Sequence, residues 1–145
     1  MTMQVELVSP ERIIYSGEAE SVIARTVGGG DIAFLSGHSP FVGALDIATV
    51  TIRTPVAADD EVVAVHGGFV EVSSTPGPEG EPGRTTVTIL SDVAELRSQI
   101  DVDRALRAKE KAESALREGD DEEAAAALRR ATVRLAVAGE TASAH

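Results

Sequence analysis

The sequence predicts an α+β chain of two domains: a flattened N-terminal β-sandwich, then a C-terminal antiparallel two-helix hairpin. Three observations carry this. Hydrophobic residues recur with period two up to about Asp92 and with period 3.6 from Asp101. The charge changes at the same place. Residues 1–100 hold 14 of the 24 acids and 5 of the 13 bases, leaving 10 acids and 8 bases, both lysines included, for residues 101–145. The expected division is a sandwich over 1–92, a linker over 93–100, a hairpin over 101–139 and a flexible tail over 140–145.

In chain order, Gln4-Val5-Glu6-Leu7 opens the alternation, and 12–15 and 20–24 read as two further strands. Thr49-Val50-Thr51-Ile52 and Thr86-Val87-Thr88-Ile89 alternate cleanly. Val62–Val65 runs through Gly67-Gly68 into Phe69-Val70-Glu71-Val72, which marks either a tight hairpin or a bulge. The proline- and glycine-rich run from Thr75 to Gly83 cannot continue a ladder and reads as a surface loop. Short strands about ten residues apart make a sandwich or flattened barrel. With 3% aromatics and no Trp, its core must be built from Val, Ile, Leu and Ala.

Asp101 is placed as an N-cap, and Ala105, Ala108, Ala112 and Leu116 line one face of the first helix. Gly119 stops it. A capping Asp with Glu123 three residues after Asp120 restarts a helix whose stripe is Ala124, Leu128, Ala131 and Leu135, ending near Gly139. Alanine in place of leucine forgoes about 0.8 kcal/mol per CH₂ buried. The seam is therefore weak, and the helices, about 17 residues long and marginal alone, are expected to keep their form while changing what they pack against.

A formal charge of −11 argues against nucleic acid as a partner. There is no cysteine, so disulfides and thiolate metal sites are excluded, in keeping with a reducing compartment. No apolar run approaches the length of a membrane span, and Met1–Pro10 lacks the pattern of a secretory signal, so no direct membrane insertion is expected.

The stretch from Gly28 to Phe41 has the glycines of a phosphate loop without its lysine: Gly37 is followed by His38-Ser39-Pro40. A triad of Asp31, His38 and Ser36 or Ser39 can be nominated, but residues so close in a turn-rich segment are not diagnostic. A structural or partner-contact role for His38 is the stronger reading. His66 alternates with core residues and reads as a satisfied strand residue, while His145 stands at a terminus. No histidine pair has metal-ligand spacing, so no metal site is expected. On the helices, Arg104, Arg107 and Lys111 share one face, and Arg130 and Arg134 share another, roughly opposite Leu128 and Leu135 and so outward from the seam. Either these are solvated faces offset by Glu110 and Glu113, or they await an acidic partner or an anion.

Taken together, Gly30-Asp-Ile-Ala-Phe-Leu-Ser-Gly-His-Ser-Pro40, Gly67-Gly-Phe-Val-Glu-Val72, Ile89-Leu-Ser-Asp92 with Ala94-Glu95, and Ile100-Asp-Val-Asp-Arg-Ala105 resemble the epsilon subunit family of the bacterial F-type ATP synthase, equivalent to the mitochondrial delta subunit. The resemblance covers essentially the whole chain. It implies a non-catalytic rotor subunit on the cytoplasmic face of the bacterial plasma membrane, bound to the gamma subunit and the c-ring. Such a subunit couples proton-driven rotation to ATP synthesis. It further implies c-ring contacts at Asp31, His38 and Glu11. A hairpin that extends toward the catalytic beta subunit would restrain hydrolysis through Arg107, Arg129, Arg130 and Arg134. No cofactor is required, but some members bind regulatory ATP. The matching positions are Glu95, Asp101, Arg104, Lys111, Arg130 and Arg134, with lysine at 111 where binding members carry arginine, which loses a planar fork donor. An ATP-sensing module whose hairpin closes on nucleotide is the alternative.

Overall fold

Alternating side chains commit the first two-thirds of the chain to strands. In the computed structural model, which describes residues 2–55, 60–81 and 83–139, these are β1 (Met3–Val8), β2 (Ile13–Ala19), β3 (Ser21–Thr26), β4 (Gly30–Leu35), β5 (Phe41–Arg53), β6 (Glu61–Thr75), β7 (Arg84–Leu90) and β8 (Ala94–Leu96). A single 3-10 turn, Arg97–Gln99, leads into α1 (Val102–Glu118) and α2 (Glu122–Ala138). The hydrogen-bonded order is β2-β1-β7-β6-β5-β3-β4, with β8 added along β6. Among the described residues, only the β1–β7 pair is parallel.

The two long strands make one ladder into two layers. β5 and β6 keep one register from Phe41↔Val72 to Ile52↔Glu61, with a pairing step missing between Leu45↔Gly68 and Ile47↔His66. At that step Gly67 and Gly68 have φ of 85° and 123°, which side chains rarely adopt. A Cβ on Gly68 would overlap the Leu90 carbonyl oxygen. The glycine pair is thus a bend within one strand: with the register unshifted across it, neither the hairpin nor the bulge reading holds. Ser91 fixes the bend from beside it, its Oγ 2.7 Å from Gly67 O. On one side of the bend Val63–Val65 of β6 carry β8 and Thr51–Arg53 of β5 carry β3, which carries β4; on the other, Phe69–Thr75 of β6 carry β7, which carries β1 and then β2. Met3, Val5, Leu7, Val70, Val87 and Ile89 from one layer join Val22, Phe34, Val50, Ile52, Val63 and Val65 from the other in a single buried cluster. The layers therefore face each other as a sandwich.

Three local expectations change. Residues 30–35, read as part of a turn-rich segment, form strand β4 against β3. Residues 93–100, read as a linker, contain β8, paired to β6 through Val63↔Leu96, Ala64↔Glu95 and Val65↔Ala94, and the 3-10 turn. Three residues are too few for alternation to declare a strand. The cap of α2 is Asp121, whose Oδ1 accepts from the Ala124 N–H at 3.0 Å, rather than Asp120. The proline-rich segment joins antiparallel β6 and β7 between Thr75 and Arg84, as expected of a loop. Pro82, the expected tail over 140–145 and His145 fall outside the described residues.

Asp101 caps α1 by accepting from the Arg104 N–H at 3.0 Å, and Gly139 closes α2 with φ of 92°. Ala105 and Ala112 of α1 and Ala124, Ala131 and Leu135 of α2 are buried, which is the seam that the spacing predicts. The same α2 also packs on β5 and β6. Val63 and Val65 point into the sandwich core, so Ala64 and His66 point out of it. Ala64 is nonetheless fully buried, because α2 covers that face.

Candidate functional site

The chemistry of the molecule is concentrated where α2 meets the sandwich. Glu95 of β8 stands on the outer face beside Ala64. Its Oε1 accepts two hydrogen bonds, one from Arg134 Nε of α2 at 2.6 Å and one from His66 Nε2 of β6 at 3.0 Å. The His66 side chain is 2% exposed, against 24% for Glu95 and 27% for Arg134. Burial first, and then the Arg134 charge, hold the imidazole pKa below its ordinary 6.5, against the opposing pull of the Glu95 hydrogen bond. The ring is therefore neutral at pH 7 with its proton on Nε2. Its Nδ1 is buried without a hydrogen-bond partner, so only half of the ring is satisfied, where the sequence reading expected a satisfied residue. A second tie runs the other way: Arg97 Nε donates to the Val137 carbonyl at 2.8 Å, placing a cation at the negative end of α2. The turn that presents Arg97 is held by the Leu96 N–H donating to Gln99 Oε1 at 2.9 Å.

Beside these ties lies a cleft of about 200 Å³, lined by Glu95, Gln99, Asp101, Arg104, Ala108 and Arg134. Four of the six positions matched to nucleotide binding therefore converge. Two do not. Lys111 is exposed on α1, seven residues beyond Arg104 and so about 10 Å along the axis. Arg130 is bound to Glu123 of its own helix at 2.7 Å. The cleft is smaller than the roughly 300 Å³ at which ligand pockets begin.

The helical arithmetic puts Arg130 and Arg134 away from the seam, and that much holds. The direction that is outward from the hairpin is inward to the molecule, however: Arg134 meets β8, not solvent. Arg107 and Arg129 are exposed.

On the sandwich, the three expected c-ring positions do not share one surface. Gly37 N–H donates to Thr85 Oγ1 at the start of β7, which places the His38 loop there. Ser91 N–H donates to Val8 O just past the end of β7, which places the Glu11 turn at the opposite end. His38 packs against Phe34 and Phe41, with ring centroids 5.0 and 6.3 Å away, and its Nδ1 lies 2.8 Å from Ser39 O. Asp31 is paired with Arg25 at 2.9 Å, and that hydrogen bond holds its carboxyl below its ordinary 3.8. About 13 Å of strand β4 separates Asp31 from Leu35, and His38 lies beyond. The nominal triad is therefore not assembled.

Pattern reading missed an apolar row. Cross-strand partners Ile13↔Val8, Val8↔Leu90, Leu90↔Phe69 and Phe69↔Ala44 run across five strands on the outer face. Ile13, Leu90 and Phe69 are 65%, 50% and 58% exposed. The doublets Ile13-Ile14 and Ile89-Leu90, which put an apolar residue where alternation reserves a polar one, were the available signal. Among the described residues, no cluster of three His, Cys, Asp or Glu could hold a metal, and no helix is long and apolar enough to cross a membrane.

Comparison with known proteins bears on both domains. A family model for the β-sandwich domain of the ATP synthase delta/epsilon chain matches residues 2–97, and one for the long α-helix domain of the same chain matches residues 98–139. The first boundary falls after β8, as the pairing does. The chain is 42% identical over 133 residues to the ATP synthase epsilon chain of Streptomyces griseus, covering 92% of each protein. It is 46% identical over 117 residues to that of Brevibacillus brevis, covering 80% of this chain and 79% of that one. In fold it is similar to a chain of the Euglena gracilis mitochondrial ATP synthase, solved as OSCP/F1/c-ring, with a TM-score of 0.64 at 20% identity over 99% of this chain and 81% of that one.

Proposed function

The chain belongs to the delta/epsilon-chain family of the ATP synthase, and from that premise we propose that it is a non-catalytic rotor subunit whose hairpin restrains ATP hydrolysis. It couples proton-driven c-ring rotation to ATP synthesis, on the cytoplasmic face of a bacterial plasma membrane and without entering it. The observation that carries the brake is the single carboxylate holding Arg134. An arginine occupied by Glu95 at 2.6 Å is not free to meet an acidic segment of the beta subunit. Release from the sandwich and engagement of beta are then alternatives for one side chain, which is what a two-position brake requires. Arg107, Arg129 and Arg130 complete the basic surface of the released hairpin.

The apolar row through Phe69 and Leu90 fits the gamma subunit, since a row of that size in water has no other covering among the described residues. Asp31, with Arg25 beside it, and Glu11 offer polar contacts to the c-ring loops; His38 lies apart from both. Deleting residues 101–145 is expected to raise the ATPase rate of the assembled complex several-fold while the sandwich still copurifies with gamma. An unchanged rate removes the brake, and loss of gamma binding by Phe69→Ser is the matching test of the row.

A second reading rests on the convergence of Glu95, Asp101, Arg104 and Arg134 at one cleft: ATP held there would fasten the closed hairpin. Titrating the isolated chain with ATP, with and without Mg²⁺, is expected to slow exchange of the α1 and α2 amides. No response up to millimolar ATP removes the sensor.

A further inference from the structure

The Glu95 carboxylate presents one oxygen to two donors from different elements, and only one of these donors can change its charge near neutral pH. His66 Nε2 and Arg134 Nε both bond Oε1, at 3.0 and 2.6 Å. With the ring neutral, the buried group sums to zero: one carboxylate, one guanidinium. A proton on the ring makes it two cations against one anion, on a side chain only 2% exposed and with no acceptor for the new N–H at Nδ1. A buried group of that composition is costly, and lifting Arg134 into water restores a neutral pair of imidazolium and carboxylate.

We infer that His66, Glu95 and Arg134 form a proton-sensitive latch, in which a neutral His66 ring keeps the hairpin on the sandwich and a protonated ring releases it. Two cations compete for one carboxylate, so proton uptake and hairpin release favour each other reciprocally. Of the surrounding charges, Asp101 and Arg104 at the start of α1 line the cleft with Glu95 and Arg134. Arg130 of α2 adds to the repulsion of the protonated ring. Asp92 lines the hollow on the other side of His66, and Glu11 and Arg12 line the one that reaches Glu95 and Arg134 from the β1–β2 turn.

The sign follows from the direction of the shift. Because the closed state holds the His66 pKa below 6.5, the open state takes up the proton first. The proton's contribution to closure is therefore fully present at high pH and is lost as pH falls through the open-state titration of His66, by at most one proton, or about tenfold in the closed-to-open ratio per pH unit. The Arg97–Val137 tie lies outside the latch and sets how far the hairpin is held once the latch has opened.

The test uses the full chain without partners or nucleotide, so its failure is separate from failure of the hydrolysis brake. The sequence has no cysteine, so dyes attached at Glu20→Cys and Ser114→Cys, both on exposed positions, report the sandwich-to-hairpin distance. As pH falls from 7.5 to 5.5 the wild-type open fraction is expected to rise, by up to about tenfold per unit. Arg134→Gln is expected to be open throughout, and His66→Gln to lose the pH response. A wild-type distance that ignores pH overturns the latch, and so does a response that survives in folded His66→Gln. Should His66→Gln fail to fold, Arg134→Gln decides: a wild-type pH response in that variant overturns the proposal, and its absence supports it.

Discussion

The sandwich and the hairpin are both fully formed, yet they are held by different means. The sandwich closes on Phe34, Met3, Leu7, Ile52 and Ile89, all buried completely, in one cluster that spans both layers. In the hairpin, four alanines and two larger residues, Leu135 and Val137, are buried, and the hold on the sandwich is supplemented by two arginine ties. Apolar burial is insensitive to which charged partner is nearby, whereas an arginine tie can be exchanged for another carboxylate. Change is thereby confined to one part: the two-layered sandwich with its continuous apolar core is fixed, and the alanine-seamed hairpin is the part whose neighbours can be substituted.

That contrast can be broken or sharpened by substitution. Phe34→Ala, at the largest fully buried side chain, should cost the sandwich about 3–5 kcal/mol, read from urea unfolding followed by strand signals. Leu135→Ala should cost about 2–3 kcal/mol, appearing as faster amide exchange in α1 and α2 while the sandwich midpoint stays in place. If both substitutions move both signals together, the two parts are one cooperative unit and the contrast fails. Smallest is Asp121→Ala, which removes the cap of α2 and should cost about 1 kcal/mol, confined to the first-turn amides of α2. Spread of that effect into β5 or β6 would show the helix and sheet to be more tightly joined than their contacts indicate.

Much of this was legible in the sequence because it is written in periods. The switch from two to 3.6 residues located both domains, and Asp101, Gly119 and Gly139 marked the helix ends from side-chain chemistry alone. The alanine seam followed from spacing. What was not legible depends on long-range pairing. Three-residue β8 is recognisable only from its partner β6, and without β8 there was no reason to see Glu95 as standing next to Ala64. Arg134 faced the right way by arithmetic, but arithmetic on one helix cannot say that a sheet lies in that direction. His66 passed as an ordinary strand residue since its position alternates correctly; its burial comes from α2, over sixty residues away in sequence. The c-ring positions failed to converge for the same reason, because proximity along the chain between Asp31 and His38 is undone by the length of β4.

The bend at Gly67-Gly68 has one more result. Phe69, on the apolar row, and His66, under the hairpin, are three residues apart on a single strand that turns from one layer to the other. Force applied by whatever grips the row travels to the seat of the hairpin through peptide bonds, about 10 Å of them, without crossing a packed interface that could slip. One continuous beam thus joins the handle of the molecule to its movable arm.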